Sequence, residues 1–224
     1  MPGNILFLHA ERYQWHNDDP DYDGLSILRK FRFSYLQEKG YLNLRCVWVL
    51  GCPNEIRPLT DAVDAAHTQP HAGHFYKQAF EVIFPGRDIP MAVGVSCCAQ
   101  FAATKEKIQE QPIEYYKRIR DMLLKTTLED SISGRIMEYS WHSKIPHPGH
   151  GVPSVLILVV IFGQDPIHCP NASVCYCKML GLCNLKCTSD ACDGRYKLPP
   201  FATLPIGWPI IGWHGEQRKL GVPG

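Results

Sequence analysis

The order of apolar and polar positions predicts alternating strands and helices in the first 142 residues. Continuous apolar runs are typical of strands covered on both faces. Such runs predict strands at 4–8, 44–50 and 91–99. Apolar residues at helical spacing predict helices between them, at 25–38 and 73–84. The first of these helices is expected to end at Gly40.

Three further helices are expected after the last predicted strand. Thr104 is a suitable N-cap for a short helix, and Pro112 suits the first turn of the next. Ser133 precedes a last helix, which we expect to reach His142. Strands alternating with helices indicate an α/β fold with a sheet covered by helices on both faces. We therefore predict an α/β domain at 1–142, an insertion at 143–160, and a loop-rich, disulfide-rich tail at 161–224.

The composition narrows the classes of protein. An apolar fraction of 45% and a net charge of +1 are typical of a folded domain. The chain has no basic run or basic-aromatic stripe, so we expect no nucleic-acid partner. The apolar run at 152–162 is about half the length that a membrane-spanning helix needs, so we expect no membrane span in this chain.

Six of the ten cysteines crowd one short segment without helix or strand periodicity, which cannot build a core alone. They are Cys169, Cys175, Cys177, Cys183, Cys187 and Cys192. Their spacing fits zinc ligands poorly, so we predict disulfides, with fifteen pairings open among the six. The segment also contains a glycosylation sequon at Asn171. Both features favour the lumen of the secretory pathway or an extracellular location.

The other cysteines allow simpler interpretations. Cys46 and Cys52 flank a predicted strand and could bridge, but burial of Cys46 as a thiol explains it equally well. Cys97 and Cys98 fit small buried thiols on opposite faces of a strand.

Polar side chains that can bind a metal follow the first predicted strand. They are His9, Glu11, His16, Asp18, Asp19, Asp21 and Asp23. Ligand sites in open α/β sheets lie beyond the carboxyl ends of strands, and a divalent cation prefers carboxylate and imidazole ligands. The alternative is a solvated loop in which Asp18 or Asp19 forms an Asx turn and Asp23 caps the next helix.

Long stretches of the chain resemble a fungal family known as domain of unknown function 3431. The matching runs include 93–142, NILFLHAERYQWHNDDPDYDG, GYLNLRCVWVLGCPNEIRP, FGQDPIHCPNASVCYCKMLGLCNLKC and LPPFATLPIGWPIIGW. The family has no established activity. Its pattern usually begins earlier, with a strand–helix region before Asn4. The resemblance therefore implies a truncated N-terminus, with any targeting signal or membrane anchor missing.

The element order also resembles the later half of a glycosyltransferase of the nucleotide-sugar-binding α/β type. That resemblance places His9 and Glu11 where an acidic pair would hold a manganese or magnesium ion on the diphosphate of the donor. It makes His142 the late histidine of the metal site. With Asp19, Asp21 and Asp23 these residues form the predicted metal site. The partners implied are a nucleotide-sugar donor and a glycan acceptor.

Residues 143–160 interrupt the family pattern between Trp141-His142 and Ile161-Phe162-Gly163. Ser143-Lys144 can be encoded with GTAAG, a favoured intron start, and Val159-Val160 with the AG that ends an intron. Splicing there gives Trp-His-Ile-Ile-Phe-Gly, which restores the pattern. We therefore predict a translated intron that packs poorly, the alternative being a genuine surface insertion.

Two functions follow from these observations. One is a glycosyltransferase-like domain that binds a nucleotide-sugar. The other is a secreted or luminal, disulfide-stapled binding or structural protein without catalysis.

Overall fold

The computed structural model describes residues 1–62, 70–145, 159–160 and 162–218. Its strands are β1 (Asn4–Phe7), β2 (Tyr41–Asn43), β3 (Gly94–Val95), β4 (Phe101–Thr104), β5 (Lys144–Ile145), β6 (Val159–Val160) and β7 (Ile167–His168). Its helices are α1 (Gly24–Lys30), α2 (Phe33–Lys39), α3 (Ala72–Ile83), α4 (Lys105–Gln109), α5 (Ile113–Lys125), α6 (Asp130–Glu138) and α7 (Ala172–Leu180). The predicted α/β content is confirmed as a mixed α/β fold with small sheets, whereas the predicted three-layer arrangement, with one sheet covered by helices on both faces, stays a prediction. The described strands form sheets of three, two and two strands.

The chain divides into two compact units, each built from separate stretches. The first unit contains Met1–Gly3, Leu50–Cys97 and Thr104–Cys169. The second unit contains Asn4–Val49, Cys98–Ala103 and Pro170–Gly224. The sequence predicted consecutive divisions instead, at 1–142, 143–160 and 161–224. In the structure, the cysteine-rich stretch after Cys169 shares a unit with the acidic loop near the N-terminus.

The second unit is organised around β4, which lies between β1 and β2. Strand β2 runs antiparallel to β4, with Leu42 opposite Ala102. Helices α1, α2 and α7 each contribute to the apolar core, and α7 packs against both of the others. The largest fully buried side chains of this core include Leu36, Tyr176 and Met179. Burial of these apolar surfaces is the main force that holds the unit together.

The predicted strand at 44–50 is wrong, because its backbone amides bind partners other than a neighbouring strand. The amides of Cys46 and Val47 donate to Oδ2 of Asp18, at 2.6 and 3.3 Å. The amide of Trp48 donates to the carbonyl of Asp190, at 2.9 Å. The sheet strand is the preceding segment, β2.

Two helix predictions also need correction. The helix expected at 25–38 is two helices, separated where the amide of Arg32 donates to the carbonyl of Met179, at 2.9 Å. The segment expected to lack periodicity contains α7, whose buried face includes Cys175, Tyr176 and Met179. Gly40 ends α2 as predicted, in the left-handed conformation at φ 75°.

The first unit is built on three helices, with α3 packed against α5 and α6. Aromatic rings form its centre: Phe80 lies 4.8 Å from Phe84, measured between ring centroids. The hydroxyl of Tyr76 donates to the carbonyl of Tyr139 at 2.9 Å. Strands β3 and β7 pair in parallel, with Gly94 opposite Ile167. A side chain at Gly94 would collide with the Pro53 carbonyl, so this close approach needs glycine.

All ten cysteines are in disulfides. The bonded pairs include Cys46–Cys175, Cys52–Cys169, Cys177–Cys183 and Cys187–Cys192. The expectation that the six clustered cysteines pair among themselves is wrong for two of them, since Cys169 and Cys175 bond to distant partners. The interpretation of Cys97 and Cys98 as thiols is wrong as well. The disulfide-rich character is confirmed.

The described ends of the predicted insertion lie side by side. Strand β5 pairs antiparallel with β6, with Ile145 opposite Val159. The amide of Gln164 donates to the carbonyl of His142 at 2.8 Å, which closes the base of the segment. Residues 146–158 lie outside the described part of the chain, so the predicted poor packing of the insertion stays a prediction.

Candidate functional site

The acidic loop that follows β1 is held in shape by two buried amide side chains of the second unit. Nδ2 of Asn17 donates to the carbonyls of Arg12 and Tyr22, at 2.7 and 2.8 Å. Nε2 of Gln100, at the start of β4, donates to Oδ1 of Asn17 at 2.9 Å. These bonds satisfy the backbone of the loop and fix where its carboxylates lie.

An open polar cleft of about 730 Å³ lies along this loop, within the second unit. Its lining combines three carboxylates, three cations and two large aromatic rings with one proline and one serine. The residues are Tyr13, Asp19, Pro20, Asp21, Asp23, Ser26, Arg29, Lys30, Arg195 and Trp208. The volume is within the range of small-molecule sites. The three aspartates that the sequence analysis selected therefore lie in one cleft.

Asp23 is committed to structural contacts. Its carboxylate accepts a bidentate pair of hydrogen bonds from Arg12, at 2.8 and 2.7 Å, and caps α1 through the amide of Leu25. Burial opposes ionisation of Asp23, but the bonds from Arg12 and Leu25 outweigh it and lower the pKa of the carboxyl. Capping by Asp23 is the alternative given above for this residue.

The other two carboxylates differ from each other. Asp19 is buried, accepts the amide of Asp21 at 3.1 Å, and lies 3.8 Å from the guanidinium of Arg195. The contact between Asp19 and the Asp21 amide is an Asx turn. Asp21 is exposed and makes no ion pair among the described residues. It is the one carboxylate of the cleft that can bind a ligand without losing a cation partner.

The cations come from two places. Arg29 and Lys30 lie in the last turn of α1, where the helix dipole favours positive charge. Lys30 donates to the hydroxyl of Ser26 at 3.0 Å, and Arg29 forms no ion pair with a described residue. Arg195 is nearly buried and lies over the ring of Tyr176. Since Asp19 and Asp23 are paired, Arg29 and Lys30 leave the cleft attractive to an anion.

Aromatic rings complete the cleft. The rings of Tyr13 and Trp208 lie 5.9 Å apart, and Trp208 also meets Tyr22 edge-on at 5.4 Å. Tyr22 is held by a hydrogen bond from its hydroxyl to the carbonyl of Lys197, at 3.0 Å. An aromatic face on a supported ring is a suitable surface for the apolar face of a sugar or base.

His9 and Glu11 do not line this cleft. The ring of His9 stacks on His16 at 4.0 Å, and its amide donates to Oε1 of Gln100 at 3.2 Å. Burial, and then the charge of Arg45, lower the pKa of His9, so the ring is held neutral. Nε2 of His9 and Oε2 of Glu11 are buried without a hydrogen-bond partner.

His142 belongs to the first unit and is fully buried there. Its Nε2 lies 3.0 Å from the carbonyl of Pro166, and burial lowers its pKa to about 4. Its ring is inclined by 28° to that of His168, at 6.5 Å between centroids. These contacts describe a neutral histidine that orders the core of its unit.

The predicted metal ligands do not form a coordination set as they stand. Among the described residues, no group of three or more His, Cys, Asp or Glu side chains is close enough to hold a metal ion. The reason in the cleft is that Arg12 occupies both carboxylate oxygens of Asp23. A role for manganese or magnesium stays a prediction.

The sequence analysis missed the cations and rings of the cleft. Arg195 and Trp208 lie far along the chain from the loop that they join, so no local spacing indicates them. Arg29 and Lys30 look like ordinary basic residues of a helix end.

The predicted glycosylation site, Asn171, is exposed and caps α7. Its Oδ1 accepts hydrogen bonds from the amide and hydroxyl of Ser173, at 3.0 and 2.7 Å.

The structure thus defines a mixed α/β, disulfide-rich protein with a polar and aromatic cleft in its second unit. The chain belongs to the family described as protein of unknown function (DUF3431), whose model matches residues 1–178. No curated protein and no solved structure matches the chain. The matched residues include the acidic loop and helix α1 of the cleft, and they end before Arg195 and Trp208. No helix among the described residues has the length and apolarity needed to cross a membrane.

Proposed function

We propose that the cleft of the second unit binds a nucleotide-sugar and that the protein is a glycosyltransferase-like domain. One observation carries the proposal: the same cleft presents unpaired cations, an unpaired carboxylate and aromatic rings. A nucleotide-sugar needs all three. Its diphosphate needs cations, its sugar hydroxyls need acceptors, and its base or sugar ring needs an aromatic face.

Arg29 and Lys30 hold the diphosphate in this proposal. A guanidinium matches two phosphate oxygens with parallel hydrogen bonds, and an ammonium adds a compact charge. Arg195 is fixed by Asp19 and by the carbonyl of Asp18, at 3.2 Å, so it supplies a rigid positive charge at the cleft wall. In transfer, these cations stabilise the negative charge that develops on the leaving diphosphate.

Asp21 and Trp208 position the sugar. The exposed carboxylate of Asp21 accepts hydrogen bonds from sugar hydroxyls, because it is not neutralised by a neighbouring cation. Trp208 is held by Tyr13 and Tyr22 and offers its face to the ring. A glycan is the proposed acceptor, and an oxidising compartment, the secretory-pathway lumen or the extracellular space, is the proposed location because of the disulfides.

The test is thermal unfolding with a panel of nucleoside diphosphate sugars, each with manganese and with a chelator. Binding to the folded state alone stabilises it by about 2.7 kcal/mol at a hundredfold excess over the dissociation constant. We expect one sugar nucleotide to raise the melting temperature. A further rise with manganese that is lost in the His9→Ala/Glu11→Ala double variant would support the metal site. No shift with any member of the panel would refute nucleotide-sugar binding.

A second function is a secreted or luminal binding protein without catalysis. The observation that favours it is the pairing of Asp23 with Arg12 and of Asp19 with Arg195, which removes two carboxylates from acid–base chemistry. Binding without turnover, measured as the absence of free nucleoside diphosphate after incubation with glycan acceptors, would favour this alternative.

A further inference from the structure

A second concave surface lies in the first unit, where α3 packs near α5 and α6. It is a groove of about 900 Å³ with a largely apolar lining. The apolar residues are Phe75, Ala79, Val82, Met122, Leu128 and Ile136. Val82 is 45% exposed, so water covers an apolar surface here in the free protein. Concave apolar surfaces of this size are typical of sites for small amphiphilic molecules.

The carboxylates that line the groove form ion pairs, whereas two of its cations do not. Glu114 pairs with Lys117 at 3.7 Å, and Asp121 pairs with Arg120 at 2.7 Å. The two other cations that line the groove are Arg118 and Lys125, and neither forms an ion pair with a described residue. Both carboxylates of the lining thus have an ion-pair partner among the described residues, whereas Arg118 and Lys125 have none.

The two cations lie on one face of α5. They are seven residues apart, which is two helical turns or about 10 Å along the axis. Asp121 and Met122, between them in sequence, line the same groove. Its wall therefore combines positive charge with apolar surface along its length. The complementary ligand has a long apolar chain and an anionic head group.

We propose that this groove binds one fatty acid molecule, with its chain against the apolar lining and its carboxylate paired with Arg118. The planar guanidinium matches the two carboxylate oxygens, and Lys125 adds to the attraction. The groove is concave, so it encloses a single chain better than it would meet a flat membrane. This site is separate from the proposed nucleotide-sugar cleft and does not depend on it.

Chain length and head-group charge test the proposal. Each methylene moved from water into an apolar site strengthens binding by about fourfold. By calorimetry, octanoate, decanoate and dodecanoate should therefore bind in rising order, one molecule per chain. Decan-1-ol should bind at least tenfold more weakly than decanoate, and decyltrimethylammonium more weakly still. Equal binding of decanoate and decyltrimethylammonium would overturn the proposal.

Variants locate the site. Arg118→Gln should weaken decanoate binding at least tenfold and leave decan-1-ol unchanged, whereas Lys77→Gln, on the exposed face of α3, should change neither. Ala79→Trp should fill the groove, and Val82→Glu should repel the carboxylate at an exposed position, so both should abolish decanoate binding. Unchanged binding in both variants would overturn the proposal. So would a dimer in the wild type that Val82→Glu dissociates, because the groove would then be covered by a second copy.

Discussion

Tyr176 donates a hydrogen bond from its hydroxyl to Oδ1 of Asp18, and both side chains are buried in the second unit. Oδ2 of the same carboxylate accepts from the amides of Cys46 and Val47. Cys46 is bonded to Cys175, the neighbour of Tyr176 in sequence. Asp18 therefore joins the acidic loop, the segment after β2 and helix α7 at one point, and it does not itself line the cleft.

Asp18→Ala should lower the free energy of unfolding by about 3–5 kcal/mol, because it leaves two buried amides and a buried hydroxyl without their acceptor. Urea unfolding followed by tryptophan fluorescence measures this loss. Asp21→Ala is the matched control, since Asp21 is exposed on the same loop and should cost less than about 0.5 kcal/mol. Equal effects of the two variants would show that the buried carboxylate does not organise the loop.

The first unit should lose stability in mild acid because of His142. Its pKa is about 4 in the fold and about 6.5 when unfolded, so the unfolded chain binds the proton first as the pH falls. The contribution of His142 is complete above pH 6.5 and is lost progressively between about pH 6.5 and 4. The slope in that window approaches 1.4 kcal/mol per pH unit.

Unfolding of wild type and His142→Gln between pH 7.5 and 4.5 measures that slope. The variant should start less stable and lose less on acidification, whereas His214→Gln, at an exposed position, should follow the wild type. Some acid sensitivity should remain, because burial also lowers the pKa of His168 and of His9. Identical slopes for wild type and His142→Gln would contradict the assignment.

The disulfides should differ in what they contribute. The Cys46–Cys175 bond closes a separation of 129 residues, and the Cys187–Cys192 bond one of 5. Because the Cys52–Cys169 bond lies within the first separation, the Cys46–Cys175 bond closes an effective loop of roughly 14 residues, and by loop-closure entropy its loss should cost about 0.5–1 kcal/mol more than loss of the second. Unfolding of the Cys46→Ser/Cys175→Ser and Cys187→Ser/Cys192→Ser double variants tests this order. The wild-type protein has no free thiol, so it should not react with thiol-specific reagents when it is denatured without a reductant.

Sequencing of the messenger tests whether residues 143–160 are a translated intron. The carbonyl of His142 already accepts the amide of Gln164, so the chain can be joined across the segment without separating its flanks. We expect the mature transcript to lack these codons. A transcript that retains them, with peptides from the segment detected in the protein, would establish a genuine insertion.

The sequence predicted elements whose boundaries are local. Pro112 and Thr104 lie at the starts of α5 and α4, and Gly40 ends α2, because each residue acts on its own few neighbours. Prediction from sequence failed where a residue distant in sequence determines the backbone conformation. Asp18 takes the amides that a strand at 44–50 would have used for pairing. Helix α7 was not predicted because its cysteines were interpreted only as disulfide partners. Cys175 also belongs to the buried, apolar face of the helix.

The candidate site was predictable in part for the same reason. Asp19, Asp21 and Asp23 stand together in the sequence and lie in one cleft. The net charge around these aspartates was not predictable. It depends on two ion pairs, one between Asp19 and the distant Arg195 and one between Asp23 and Arg12. Those two cations pair with Asp23 and Asp19 and so change the charge balance of the cleft.

Calorimetric titration with nucleoside diphosphate sugars tests most directly whether this cleft binds a nucleotide-sugar. Arg29→Gln removes the unpaired guanidinium, and Lys39→Gln removes a cation of α2 that pairs with Glu38 outside the cleft. A charge-assisted hydrogen bond contributes about 1.5–3 kcal/mol, so Arg29→Gln should weaken binding at least tenfold. We expect one site per chain, weakened at least tenfold in Arg29→Gln and unchanged in Lys39→Gln. Binding that is equal in all three proteins, or absent from the wild type, would contradict it.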